Sequence, residues 1–168
     1  ELDEALAQVE KESAADVIYL VDSFGALYSE QISYLAKKYK GAMPSREIGI
    51  HAHNNQQLAF ANTIEAIIQG INYLDGTIFG IGRAAGNCPL ELLLGFLKNP
   101  KFNIRPILNI LGKDFVKLRE EIEWGYTIPY MITGILDLHP RAGMKLRNSE
   151  DKDEYLGFYE KLTSEANV

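Results

Sequence analysis

Three short, mostly apolar runs, each followed by a polar or glycine-rich loop and then a helix-patterned segment, limit what this 168-residue chain can fold into. The first run is Val17–Val21, followed at once by Asp22, Ser23 and Gly25. The second is Ile48–His53, followed by Asn54 and Asn55. The third runs from Tyr73 to about Ile78, carries Asp75 inside it, and gives way to Gly80, Gly82 and Gly86. Helix-patterned segments separate them. Ser29 reads as the N-cap of a helix whose apolar face is Ile32, Leu35 and Ala36. A second helix spans about Gln57 to Ile68 and is closed by Gly70. A third covers Leu90 to Leu97, with Pro89 at its first turn. Strands that alternate with helices imply parallel pairing and right-handed crossovers. Apolar runs this continuous suit strands covered on both faces. Three units do not close a barrel, which takes eight strands, and a small open sheet satisfies the same periodicity.

From about Phe102 the pattern changes. Helices are expected at roughly 113–123, 128–136 and 150–163, with no further strand–helix unit. The chain thus divides into an α/β part, residues 1–100, and a helical extension, residues 101–168. It opens without an initiator Met, and Leu2, Ala5, Leu6 and Val9 already fall at helical spacing, so a piece of a longer protein is expected.

Composition excludes several roles. A net charge of −6 and a pI near 5.1 argue against nucleic-acid binding and offer no attraction to anionic lipid. No apolar run approaches the ~20 residues of a membrane span. A single cysteine, Cys88, forbids an internal disulfide and points to a reducing, cytoplasmic setting.

Chemistry-bearing residues gather at the strand ends. In His51-Ala52-His53-Asn54, alternate residues of a strand point the same way, so two imidazoles reach one place and can share a divalent ion. Two histidines at the surface of a strand end explain the same spacing. Asp22-Ser23 ends the preceding strand: it suits a substrate hydroxyl or the orientation of a metal-bound histidine, and equally an Asx-turn. Between Gly80 and Glu91 the glycines allow close approach to a ligand, Arg83 can bind a carboxylate, and Asn87 offers an amide oxygen. The glycine spacing does not fit a dinucleotide fingerprint, and no Lys-Ser/Thr ending follows. Cys88 reads as a packed small hydrophobe, Glu91 as a first-turn acid and His139 as structural.

Taken in order, the Val21-Asp22-Ser23-Phe24-Gly25 strand end, the His51-Ala52-His53-Asn54 strand end and the Gly80-to-Glu91 loop resemble the HMG-CoA-lyase-like, or DRE-TIM, metallolyases. That family includes 2-isopropylmalate and homocitrate synthases, HMG-CoA lyase and 4-hydroxy-2-oxovalerate aldolase. Residues 1–100 carry the resemblance, and Trp124 to Gly134 is similar to the aldolase-type members. The resemblance implies the carboxyl-terminal part of a (β/α)₈ TIM barrel, about strands six to eight, followed by a helical appendage. It implies His51 and His53 as metal ligands with Asn87 as a third, a divalent cation (Mn, Mg, Co or Zn), and Asp22, Ser23 and Arg83 at a 2-oxo acid substrate. No catalytic acid or base is assigned. The family's Asp-Arg-Glu triplet is absent; Arg119-Glu120-Glu121 lies in a helix and does not replace it.

The implied reaction is retro-aldol cleavage of a 4-hydroxy-2-oxo acid to pyruvate and an aldehyde, with this piece inactive alone. A Claisen acyltransferase of the isopropylmalate-synthase type and a non-catalytic oligomerisation or docking module remain alternatives. An incompletely covered parallel sheet further implies a homo-oligomer or a longer parent protein.

Overall fold

A computed structural model of the chain describes residues 1–166. The elements run α1 (Leu2–Glu12), β1 (Val17–Asp22), α2 (Ser29–Ala42), β2 (Glu47–Ala52), α3 (Ala59–Ile68), β3 (Tyr73–Leu74) and α4 (Leu90–Leu97). After these come α5 (Arg105–Ile110), α6 (Val116–Glu121), α7 (Ile128–Ile135), α8 (Arg141–Arg147) and α9 (Tyr155–Ala166). The three strands form one parallel sheet in the order β1-β2-β3.

The pleat divides the strand residues between two faces. Leu20, Ile48, Ile50 and Ala52 point to the helical side and bury there with Ile32 and Ala36 of α2, Ala59 and Ala66 of α3, and Leu93 of α4. The opposite face carries Tyr19 and Val21 of β1, Gly49 and His51 of β2, and Tyr73 of β3, in register. Among the described residues this second face is not covered: Val21 is 46% and Tyr73 43% exposed. Burial on both faces, expected from the apolar runs, is therefore absent here. Among the described residues, no helix is long and apolar enough to cross a membrane.

Several boundaries differ from the sequence reading for local reasons. The N-cap of α2 is Tyr28, whose N–H donates to Oε1 of Gln31 at 2.8 Å, so Ser29 is already helical. Helix α3 starts at Ala59 because Gln57 takes a left-handed conformation (φ 61°), and Asn54 Oδ1 then accepts the Ala59 N–H at 3.1 Å. Strand β3 is short because its continuation pairs elsewhere. Thr77 N–H donates to Cys88 O and Thr77 O accepts from Leu90, so the chain leaves β2 after Asp75 and turns through a 3₁₀ segment at Ile78–Gly80. In the tail, α5 and α6 run together through a π turn at Leu111–Phe115, so that helix starts well before residue 113. Helix α8 was not expected, and α9 starts at Tyr155 instead of 150.

Cys88 is a packed core residue, fully buried with Ile50 and Leu93. Burial pushes its thiol up, so the thiolate is disfavoured. Native protein is expected to leave Ellman's reagent colourless, with one thiol titrating only after denaturation. Prompt reaction in the native state would show that the core around Cys88 opens readily.

Candidate metal and oxo-acid site

The site assembles where β1 and β2 end. His51 lies on the open face of β2, and His53 follows one residue past the strand, paired as an isolated antiparallel bridge with Asn87. Their rings stand edge to face, with centroids 4.9 Å apart and planes at 79°. Each ring has its Nδ1 engaged by a group that can only accept. His51 Nδ1 lies 3.0 Å from Asp75 Oδ2, and His53 Nδ1 lies 2.8 Å from the main-chain oxygen of Asp22. A carbonyl oxygen, like an ionised carboxylate, accepts and does not donate. In the neutral form of each ring, Nδ1 then carries the proton and Nε2 holds the lone pair. Burial, with smaller contributions from His51 and Arg83, lowers the pKa of His53 against the opposing pull of its Asp22 bond, so it favours the neutral form a ligand needs.

The glycine loop brings up a candidate third donor. Asn87 N–H donates to Gly80 O at 3.0 Å, Asn54 N–H to Gly86 O at 2.8 Å, and Cys88 N–H to Ala52 O at 3.2 Å, which ties the loop to the end of β2. Asn87 Nδ2 donates to Ile81 O at 3.1 Å, while Asn87 Oδ1 is buried without a hydrogen-bond partner. A buried orphan acceptor costs on the order of 1–3 kcal/mol, and a cation removes that cost. Two free imidazole lone pairs and one unpaired amide oxygen make a donor set suited to a borderline divalent ion. Among the described residues, no three His, Cys, Asp or Glu side chains converge to hold a metal. The donor set therefore needs the amide.

The remaining sequence candidates are placed as follows. Asp22 is buried at the end of β1, and its carboxylate accepts from the N–H groups of Ala26 (3.1 Å) and Leu27 (3.3 Å), while its carbonyl holds His53. Burial raises its pKa despite those bonds. Ser23 is exposed, and its carbonyl accepts from the Arg83 guanidinium at 3.3 Å, linking the first loop to the glycine loop. Arg83 itself is exposed. Glu91 fixes the loop by accepting from Phe79 N–H at 3.0 Å. His139 stands edge-on to Phe24 with centroids 5.5 Å apart, and its Nδ1 accepts from Arg141 N–H.

Sequence reasoning gave no role to Asp75, and it placed Trp124 only in the stretch similar to the aldolase-type members, without its contact. The signal for Asp75 was a carboxylate inside an otherwise apolar strand, two residues after Tyr73 and so on the same face. Trp124 reaches back from the helical tail and donates its Nε1–H to Phe79 O at 2.8 Å; nothing in local pattern marks so distant a contact.

A family model described as HMGL-like matches residues 1–112. The chain is 40% identical over 110 residues to the 4-hydroxy-2-oxovalerate aldolase of Thermus thermophilus, covering 66% of this chain and 30% of that protein. It is 40% identical over 82 residues to the oxaloacetate decarboxylase of Mycobacterium tuberculosis, covering 49% of this chain and 24% of the relative. The chain thus spans about a third or less of the length of these relatives. The N-terminal domain of a protein assigned as an aldolase in Bacteroides vulgatus superposes with a TM-score of 0.76 at 33% identity, covering 88% of this chain and 49% of that one. The HMG-CoA lyase of Bacillus subtilis superposes with a TM-score of 0.60 at 20% identity, over 71% of this chain and 43% of that one, a likeness of fold.

Proposed function

We propose that this chain, which belongs to the HMGL-like family, carries part of the active site of a divalent-metal-dependent carbon–carbon lyase. The observation that carries this reading is the pair of Nε2 atoms left free on His51 and His53, with an unpartnered Oδ1 on Asn87, the residue bridged to His53 through the main chain. These three residues would hold the ion, whether Mn, Mg, Co or Zn. A cation there supplies Lewis-acid charge to the carbonyl and carboxylate oxygens of a 2-oxo acid.

The substrate class follows from the relatives named as 4-hydroxy-2-oxovalerate aldolases. Retro-aldol cleavage breaks the bond between C3 and C4 of a 4-hydroxy-2-oxo acid. The C4 hydroxyl loses its proton and becomes the aldehyde carbonyl, and the bonding pair stays on C3 as pyruvate enolate. Arg83, exposed on the glycine loop, is suited to the substrate carboxylate. Asp22 and Ser23 serve by shaping the loop over it: their carbonyls anchor His53 and Arg83 respectively.

We read residues 1–100 as about strands six to eight of a (β/α)₈ barrel and residues 101–168 as a helical extension. No catalytic acid or base is assigned among the site residues described above. The 168-residue chain alone is accordingly expected to be inactive, in a cytoplasmic enzyme that needs the rest of the barrel. Self-association is also part of the reading. Helices α5 and α6 and the π turn between them bury no residue and expose Leu108 and Val116, a face suited to a second copy.

The test uses the complete reading frame and the 168-residue chain side by side, each with Mn²⁺. The complete protein is expected to release pyruvate from a 4-hydroxy-2-oxo acid, read by a coupled lactate dehydrogenase assay, and the short chain to release none. Thiol release from acetyl-CoA in the presence of a 2-oxo acid, without pyruvate release, would replace the lyase reading with a Claisen acyltransferase.

A further inference from the structure

We propose that Asp75 is a positioning residue for His51: its carboxylate holds the proton on Nδ1 and fixes the turn of the ring, so that Nε2 is the donor atom. This rests on the metal reading above and extends it to a residue that sequence reasoning passed over.

The register brings the pair together. Ile50 is opposite Leu74, so the next residue on each strand, His51 and Asp75, share the open face. Asp75 N–H still donates to Ile50 O at 3.0 Å before the chain turns away, which pins the Asp75 backbone to β2. From there Oδ2 reaches His51 Nδ1 at 3.0 Å. The two side chains are 47% and 28% exposed, so solvent screens the pair and its value is orientation more than stability.

Tyr19 lies on the same open face, on β1. It is opposite Gly49, and its ring lies across that glycine: a Cβ at Gly49 would stand 2.5 Å from Tyr19 Cε1 and 2.7 Å from Cζ. A side chain at position 49 would displace the ring. Burial, and then the nearby Asp75 carboxylate, raise the pKa of the Tyr19 hydroxyl. The contact thus joins His51 of β2 to Asp75, the residue that follows β3.

The two histidines are therefore oriented by different means. His53 is held by a main-chain carbonyl that no substitution removes. His51 is held by a side chain that can be taken away. Loss of such an outer partner weakens metal binding by about 10- to 100-fold.

The experiment measures Mn²⁺ affinity by the loss of the free-ion electron paramagnetic resonance signal, in the full chain and in Asp75→Ala, Asp75→Glu and His51→Ala. Imidazole ¹⁵N shifts of metal-free protein report the tautomer of His51 in parallel, and far-UV circular dichroism checks the fold. Asp75→Ala is expected to weaken Mn²⁺ binding by about 10- to 100-fold and to give His51 a mixture of tautomers, with Asp75→Glu recovering much of both. Wild-type affinity and an unchanged His51 tautomer in Asp75→Ala would overturn the proposal. Failure of the parent reading looks different: the unsubstituted chain and His51→Ala would then bind Mn²⁺ equally or not at all. In that case the tautomer alone still decides whether Asp75 holds the ring.

Discussion

Replacing His51 and His53 together with alanine is expected to reduce bound metal from about one divalent ion per chain to none, by elemental analysis after equilibration with Mn²⁺ and gel filtration. Both rings have Nδ1 occupied and Nε2 free, so the double variant removes two donors of the proposed three-donor set. The remaining amide oxygen of Asn87 is a weak ligand alone. The fold is expected to survive. Neither ring lies in the main core, and the sheet pairing at positions 51 and 53 uses main-chain atoms. The far-UV spectrum should therefore match that of the parent while the metal is lost. Metal retained by the double variant would move the site elsewhere in the chain and leave the histidines a structural role. Absence of metal from both proteins would make the resemblance one of fold without its chemistry.

Legibility followed the range of the forces involved. The three strands were readable because apolar runs bounded by polar loops report burial locally, and two of them start and stop within a residue of the expected bounds. The His51-Ala52-His53 motif was readable because a period of two is a property of any strand. What failed depends on contacts far along the chain. Strand β3 stops at Leu74 because Thr77 finds partners in Cys88 and Leu90, and no residue between 73 and 78 announces that preference. Asp75 was visible as an odd carboxylate, yet its meaning required the register with His51 that only the paired strands provide. Glu91 reads as a helix-entry acid in isolation. Its partner, Phe79 N–H, belongs to a residue held in a left-handed conformation (φ 56°), which composition does not foretell. Helix α8 was missed because seven residues are too few to establish a helical period, and Pro140 before it reads equally as a turn.

Alanine at Gly86 is expected to be the most damaging single substitution near the site, and the reason is backbone geometry. Gly86 has φ +81°, which an L side chain resists, and a Cβ there would collide with the carbonyl oxygen of Gly80. That oxygen is not free to move, since it accepts the N–H of Asn87 at 3.0 Å. Gly86 is itself fixed, donating to Arg83 O at 3.0 Å and accepting from Asn54 at 2.8 Å. Relief must break one of these bonds and open the loop. Strain at such a φ costs on the order of 1–3 kcal/mol, and a lost main-chain hydrogen bond adds roughly 1 kcal/mol. Urea denaturation should therefore place Gly86→Ala about 2–4 kcal/mol below the parent, with weaker Mn²⁺ binding as Asn87 is displaced. Gly82→Ala separates the two effects. Its Cβ would meet Asn87 Nδ2 at 2.5 Å, a side-chain amide that can swing aside, and Gly82 has no left-handed φ. Moving that amide gives up the Asn87 Nδ2–Ile81 O bond, roughly 1 kcal/mol, so stability should fall by less than in Gly86→Ala while Oδ1 is displaced. Metal affinity that falls in Gly82→Ala by more than this loss of stability accounts for makes Asn87 a ligand. Affinity that tracks stability through both variants makes the glycine loop a scaffold for the two histidines alone.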